Sequence, residues 1–109
     1  MTLDERNEAI AEIFQDCSKI LESKGRDYSG EEDAYRNFSK VASSLGLPPR
    51  QVLLVYLSKH LDAIFNAVKE NPYTPKRVAE SFEQSCLDAI NYLAILAAWP
   101  HPKTDKERI

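Results

Sequence analysis

Seven consecutive residues, Lys24-Gly25-Arg26-Asp27-Tyr28-Ser29-Gly30, gather two cations, a carboxylate, a phenol and two glycines. Glycines let backbone N–H groups approach a ligand, and Lys and Arg attract anions. The tyrosine offers a flat face on which a base can stack. The stretch lies where one amphipathic pattern stops and the next begins, so it also reads as helix punctuation. In that reading Gly25 is a left-handed C-cap, Lys24 complements the helix C-terminus, and Asp27 or Ser29 caps the following helix.

A second set of polar residues falls on segments that are otherwise apolar. Lys59, Asp62 and Asn66 share one helical face, as do Gln84, Asp88 and Asn91, with Glu80 and Glu83 a turn or two upstream. Buried helices carry few charges, so these need a reason. One reason is a structural ion pair, Lys59 with Asp88 or Lys59 with Asp62, that fixes helix register. Another is a pocket between the third and fourth helices, closed by the glycine loop. There acids hold a divalent cation while Lys59 and Arg26 meet phosphates. His60, one turn from Tyr56 and Ile64, reads as a hydrogen-bonded core histidine. His101 falls in the tail. No Ser/His/Asp or Cys/His arrangement, Walker loop or dinucleotide fingerprint is present.

Composition narrows the partners. The 109 residues suit one domain, and 14 Lys+Arg against 17 Asp+Glu give a net charge of −3. With no basic excess, duplex nucleic acid is not an expected partner. Cys17 and Cys86 lie on apolar helical faces without metal-ligand spacing, which suits two buried thiols in a cytosolic protein. No signal-peptide pattern or membrane-length apolar run occurs, so the expected setting is soluble and cytoplasmic, with no membrane partner.

The elements that position these residues read as helices throughout. Only 3 glycines among much Ala, Leu, Glu and Lys predict an all-α domain, four-helix bundle-like, over residues 1–100, with 101–109 a loose tail. Thr2-Leu3-Asp4-Glu5 is a capping box opening a helix from about Leu3 to Lys24, stopped by Gly25. Ser29-Gly30-Glu31-Glu32 opens a second helix, with Ala34, Phe38, Val41, Ala42 and Leu45 on its buried face and Gly46 at its end. Helix three spans about Pro48 to Glu70 and is apolar all round from Val52 to Leu57. Thr74-Pro75 starts helix four, which runs to about Trp99. Its inner side carries Phe82, Cys86, Ala89, Ile90, Leu93, Leu96 and Ala97. The wholly apolar stretches offer more surface than four short helices can cover, which predicts a homo-oligomer with sites near the interface.

Read together, Lys24-Gly25-Arg26-Asp27-Tyr28, Asn37-Phe38, Ser58-Lys59-His60-Leu61-Asp62 and Leu87-Asp88-Ala89-Ile90-Asn91-Tyr92 resemble small phage and prophage proteins described as a nucleotide-modification-associated domain. The likeness covers about residues 15 to 99. That family is similar in turn to all-helical nucleoside triphosphate pyrophosphohydrolases of the MazG and dimeric dUTPase type, whose active sites form in helical bundles of two or more chains. The resemblance implies site positions at Asp27, Tyr28, Asn37, Lys59, Asp62, Asp88 and Asn91. It places the protein in the host-cell cytoplasm if it is phage-encoded. The enzymes hold magnesium with an E-x-x-E pair followed by an E-x-x-D pair. Here Glu80-Ser81-Phe82-Glu83 fits the first by spacing, no E-x-x-D follows, and Lys59 stands where the enzymes have an acid.

Three functions follow from these residues. In the first, a helical homo-oligomer sequesters a nucleotide or cyclic nucleotide signal between subunits without a cofactor. Lys24, Arg26 and Lys59 meet phosphates, Tyr28 stacks the base, and Asn37 or Asn91 reads its edge. In the second, Asp62, Glu83 and Asp88 hold magnesium and orient a water for pyrophosphohydrolysis. In the third, the domain is a ligand-free oligomeric scaffold.

Overall fold

In a computed structural model, residues 1–30, 32–76 and 81–100 are described. They form four α-helices and, among the described residues, no strand: α1 (Leu3–Tyr28), α2 (Arg36–Leu45), α3 (Pro49–Glu70) and α4 (Phe82–Ala98). None is long and apolar enough to cross a membrane.

The helix ends have local causes. Thr2 Oγ1 accepts the Glu5 N–H at 3.1 Å, so the N-cap read from the sequence caps α1. The far end differs from expectation. Gly25 stays helical, and α1 continues one more turn to Tyr28. The left-handed residue is Gly30, at φ +80°, and it ends the turn that Gly25 was expected to end. Ser29 becomes the C-cap of α1, its N–H bonded to the Gly25 carbonyl at 2.9 Å, instead of opening the second helix. Asp33 then makes a tight turn by accepting the Tyr35 N–H at 3.0 Å, and α2 starts only at Arg36.

Gly46, at φ +70°, terminates α2 as expected, and Pro48-Pro49 supplies the N-cap and first residue of α3. Helix α4 begins later than expected. Thr74 donates both its N–H and its hydroxyl to Asn71 Oδ1 at 3.2 Å, which commits it to the preceding turn. Ser81 is the N-cap, its Oγ accepting the Gln84 N–H at 3.0 Å. Glu31 and Glu80, and the 101–109 tail, lie outside the described residues.

Packing runs α2 on α3, α3 on α4, and α4 on α1. Phe38, Ala42, Val52 and Leu53 form the buried centre, with Tyr56, Tyr92, Ile95 and Trp99 against it. Arg50 ties the start of α3 to the end of α4: it lies 5.5 Å from the Trp99 ring centroid and donates to the Pro100 carbonyl at 2.9 Å.

Two faces differ from the apolar-stripe expectation. Ala34 falls in the turn before α2 and is exposed; on α2 Leu45 is exposed while Phe38 and Ala42 are buried. On α4, the buried positions are Ser85, Ala89 and Asn91, whereas Leu93 and Ala97 face outward. Helix α4 lies between α1 and α3, so its buried surface must meet two neighbours, and polar side chains with partners are tolerated there. Asn91 Nδ2 donates to the Cys17 carbonyl on α1 at 3.1 Å, and Ser85 Oγ donates to the Ser81 carbonyl at 3.4 Å.

Candidate functional site

The C-terminal turns of α1, the start of α2, His60 of α3 and one side of α4 enclose a cavity of about 500 Å³. That volume is in the range of small-molecule sites, roughly 300–1,000 Å³. Its apolar walls come from Ile20 and Leu21 of α1, Phe38 of α2, and Ile95 of α4. Tyr28, Tyr35 and Tyr92 add aromatic surface. Its polar groups are few and come from different helices: Lys24, Ser29, Asn37, His60, Asp88 and Asn91.

Among the described residues Asp88 is the only carboxylate that lines the cavity. Its side chain is 12% exposed, and three groups surround it. Gln84 Nε2 donates to Oδ1 at 3.2 Å, Lys24 Nζ lies 3.8 Å from Oδ1, and His60 Nδ1 lies 3.9 Å from Oδ2. The last two distances are too long for direct hydrogen bonds. The helical repeat explains the meeting: Gln84 and Asp88 are one turn apart on α4, and His60 faces them from α3.

His60 is half-buried, and its ring stacks on Tyr92 with centroids 5.3 Å apart and planes inclined by 29°. Burial, with the Asp88 carboxylate and the Tyr56 and Tyr28 phenols nearby, raises the Tyr92 phenol above its ordinary value. At the other end Ser29 Oγ donates to Asn37 Oδ1 at 2.6 Å, and Ser29 also accepts the Asn37 N–H at 3.3 Å. The Asn37 amide is thereby held with its Nδ2 donor outside that pair.

The cavity thus brings together five residues singled out from the sequence: Lys24, Tyr28, Asn37, Asp88 and Asn91. Tyr28 is exposed and stands at the rim. Asn91 lines the wall, but its Nδ2 already bridges to α1. Arg26 lies in an adjoining recess that shares Gly25 and Ala34 with the cavity, and its guanidinium pairs with Glu22 at 3.2 Å. Asp27, Lys59 and Asp62 are exposed and do not line the cavity.

For Lys59 the reason is helix phase. His60 continues the buried Leu53–Leu57 face of α3, and each step along an α-helix turns by about 100°, which carries Lys59 and Asp62 off that face. Lys24 on α1 takes the place beside Asp88 that one of the sequence readings gave to Lys59. The sequence reading did not place His60, Tyr92, Tyr35 or Ser29 in the site: His60 was read as a core histidine and Ser29 as a helix cap. His60 was legible as a member of the Leu53–Leu57 face, but nothing local distinguishes a pocket wall from a core.

Of Asp62, Glu83 and Asp88, the acids the sequence offered for magnesium, only Asp88 lines the cavity. Among the described residues no three His, Cys, Asp or Glu side chains come together as a metal-binding group. Glu83 is exposed and outside the cavity, and the oxygens of Asp88 face Lys24, His60 and Gln84. Magnesium takes near-octahedral oxygen coordination, usually from one or two carboxylates with waters and substrate phosphates.

No family model, curated protein or solved structure matches this chain.

Proposed function

We propose that the protein binds a nucleotide in the α1–α2–α4 cavity and holds it without chemical change. The observation that carries this reading is a cavity with aromatic walls and a small set of polar groups, having, among the described residues, one carboxylate inside and cations towards its rim. A nucleobase needs a flat apolar slot with a few hydrogen-bonding groups, and a phosphate needs a cation within reach of solvent. Lys24 is half-exposed beside the cavity, and Arg26 stands in the recess that shares its Gly25–Ala34 edge. A base resting between Tyr28 and the inner aromatic wall directs its phosphate towards these two side chains.

Self-association belongs to the same proposal. Leu54 and Val55 of α3, Phe14 of α1 and Leu93 of α4 are outward-facing large apolar side chains. Leu93 adjoins Ala94, which lines the cavity, so a second copy seated on the outer face of α4 borders the site.

Isothermal titration with nucleoside mono- and triphosphates in excess EDTA tests the reading. Saturable binding, with the nucleotide recovered intact by mass spectrometry, is the expected result. Magnesium-dependent product, lost in Asp88→Ala, would replace it with pyrophosphohydrolysis. No binding across the panel would leave an oligomeric scaffold.

A further inference from the structure

The proposed nucleotide site carries a preference for one base, and this inference rests on that proposal. It starts from what Asp88 lacks. A carboxylate accepts about four hydrogen bonds through its two oxygens. Asp88, largely enclosed in the cavity wall, has one, from Gln84 to Oδ1. Among the described residues Oδ2 accepts none, its nearest charged neighbour being His60 Nδ1 at 3.9 Å. An enclosed carboxylate short of donors is costly, and a ligand that brings N–H groups removes the cost.

Which ligand brings them follows from the neighbours. A cationic amine would meet Lys24, whose ammonium is 3.8 Å from the same carboxylate. A neutral group with two adjacent N–H donors suits both. Guanine has that edge: its N1–H and N2 amino group point the same way and match the two oxygens of a carboxylate. Its O6, next to N1, is an acceptor for a flanking cation or imidazole N–H. Adenine and cytosine place a ring-nitrogen lone pair beside their amino group, and uracil flanks its single N–H with two carbonyls. Each of these sets an acceptor against a carboxylate oxygen, which is unfavourable in a partly dry site. The Tyr92–His60 stack supplies aromatic surface alongside Asp88.

We infer that Asp88, flanked by Lys24 and His60, selects a guanine base, with the phosphate pointing outwards to the rim.

The test compares dissociation constants of the guanosine, inosine, adenosine, cytidine and uridine 5′-triphosphates in EDTA. The unaltered protein is measured beside Asp88→Asn. Guanosine is expected to bind at least about tenfold tighter than inosine, which lacks only the 2-amino group, and tighter still than the other three, since a hydrogen bond to a charged group contributes on the order of a tenfold change or more. In D88N the guanosine-over-adenosine ratio should fall at least about tenfold, because a carboxamide offers one acceptor and one donor, the complement of the adenine edge. Adenosine, cytidine or uridine nucleotides binding as tightly as guanosine would overturn the inference while leaving nucleotide binding intact. So would an undiminished guanosine preference in D88N. If no nucleotide binds, the underlying function fails and this inference fails with it. If D88N does not fold, the guanosine–inosine comparison in the unaltered protein decides alone.

Discussion

Burial raises the thiols of Cys17 and Cys86 above their ordinary value of 9.0, aided by Asp16 and Asp88 for the first and Glu83 for the second. The Tyr92 phenol rises above 10.0 by the same kind of cause. All three groups are acids that the folded state keeps protonated longer than the unfolded chain does. Their contribution to stability is complete below the unfolded values and falls as the pH climbs from there towards the raised folded values. Urea denaturation from pH about 8 to about 11 should therefore show declining stability. Tyr92→Phe should make the decline shallower above the ordinary tyrosine value. At the same scale, Asn91 combines a place in the cavity wall with a structural bond. Its amide joins α4 to the Cys17 carbonyl, so Asn91→Ala should lower stability by about 1–3 kcal/mol in chemical denaturation, the cost of a lost buried partner.

The glycines of the Lys24–Gly30 stretch separate at the level of the element. Gly25 lies inside α1, with nothing within 4 Å of the position a Cβ would take. Gly25→Ala should stabilise the protein by about 0.5–1 kcal/mol, the helix-propensity difference. Gly30 has φ +80°, which L-residues rarely adopt. Gly30→Ala should cost about 1–2 kcal/mol and loosen the Ser29–Asn37 link that shapes one end of the cavity. Opposite signs in thermal melts of the two variants would confirm that Gly30 ends α1. The same helix shows why Asp27 misses the cavity that Lys24, Tyr28 and Gly25 line. Asp27 is only three residues from Lys24, but at about 100° per residue it lies a full step round from Tyr28, at the outer edge of the lining face, and it does not line the cavity.

At the scale of the molecule, Leu53 is fully buried where α2 meets α3. Leu53→Ala should destabilise by about 2–5 kcal/mol. Val55, two residues on, is 62% exposed. Val55→Glu should leave the melting temperature of the isolated fold nearly unchanged yet shift light-scattering mass towards the monomer, if the outward face of α3 joins copies. A mass that stays oligomeric would move the proposed self-association to α1 or the outer face of α4, and a monomer in the unaltered protein would remove it.

The sequence by itself determined the all-helical class, the Thr2 cap, the stop at Gly46 and the Pro48-Pro49 start of α3. Each is set by interactions within a turn or two, where side-chain caps and backbone preferences act without help from distant residues. It also singled out Asp88 as a charge that needs a reason, and Lys24 as a cation for an anionic ligand. The tertiary structure decided which charges meet. Lys24 reaches Asp88, while Lys59 points away with Asp62. His60 turns towards the cavity, and Ser85 and Asn91 are buried in α4 where Leu93 was expected. Those outcomes depend on the rotation of each helix against neighbours far along the chain. An apolar stripe indicates that a helix has an inside. When a helix such as α4 lies between two others, only their placement fixes which residues that inside contains.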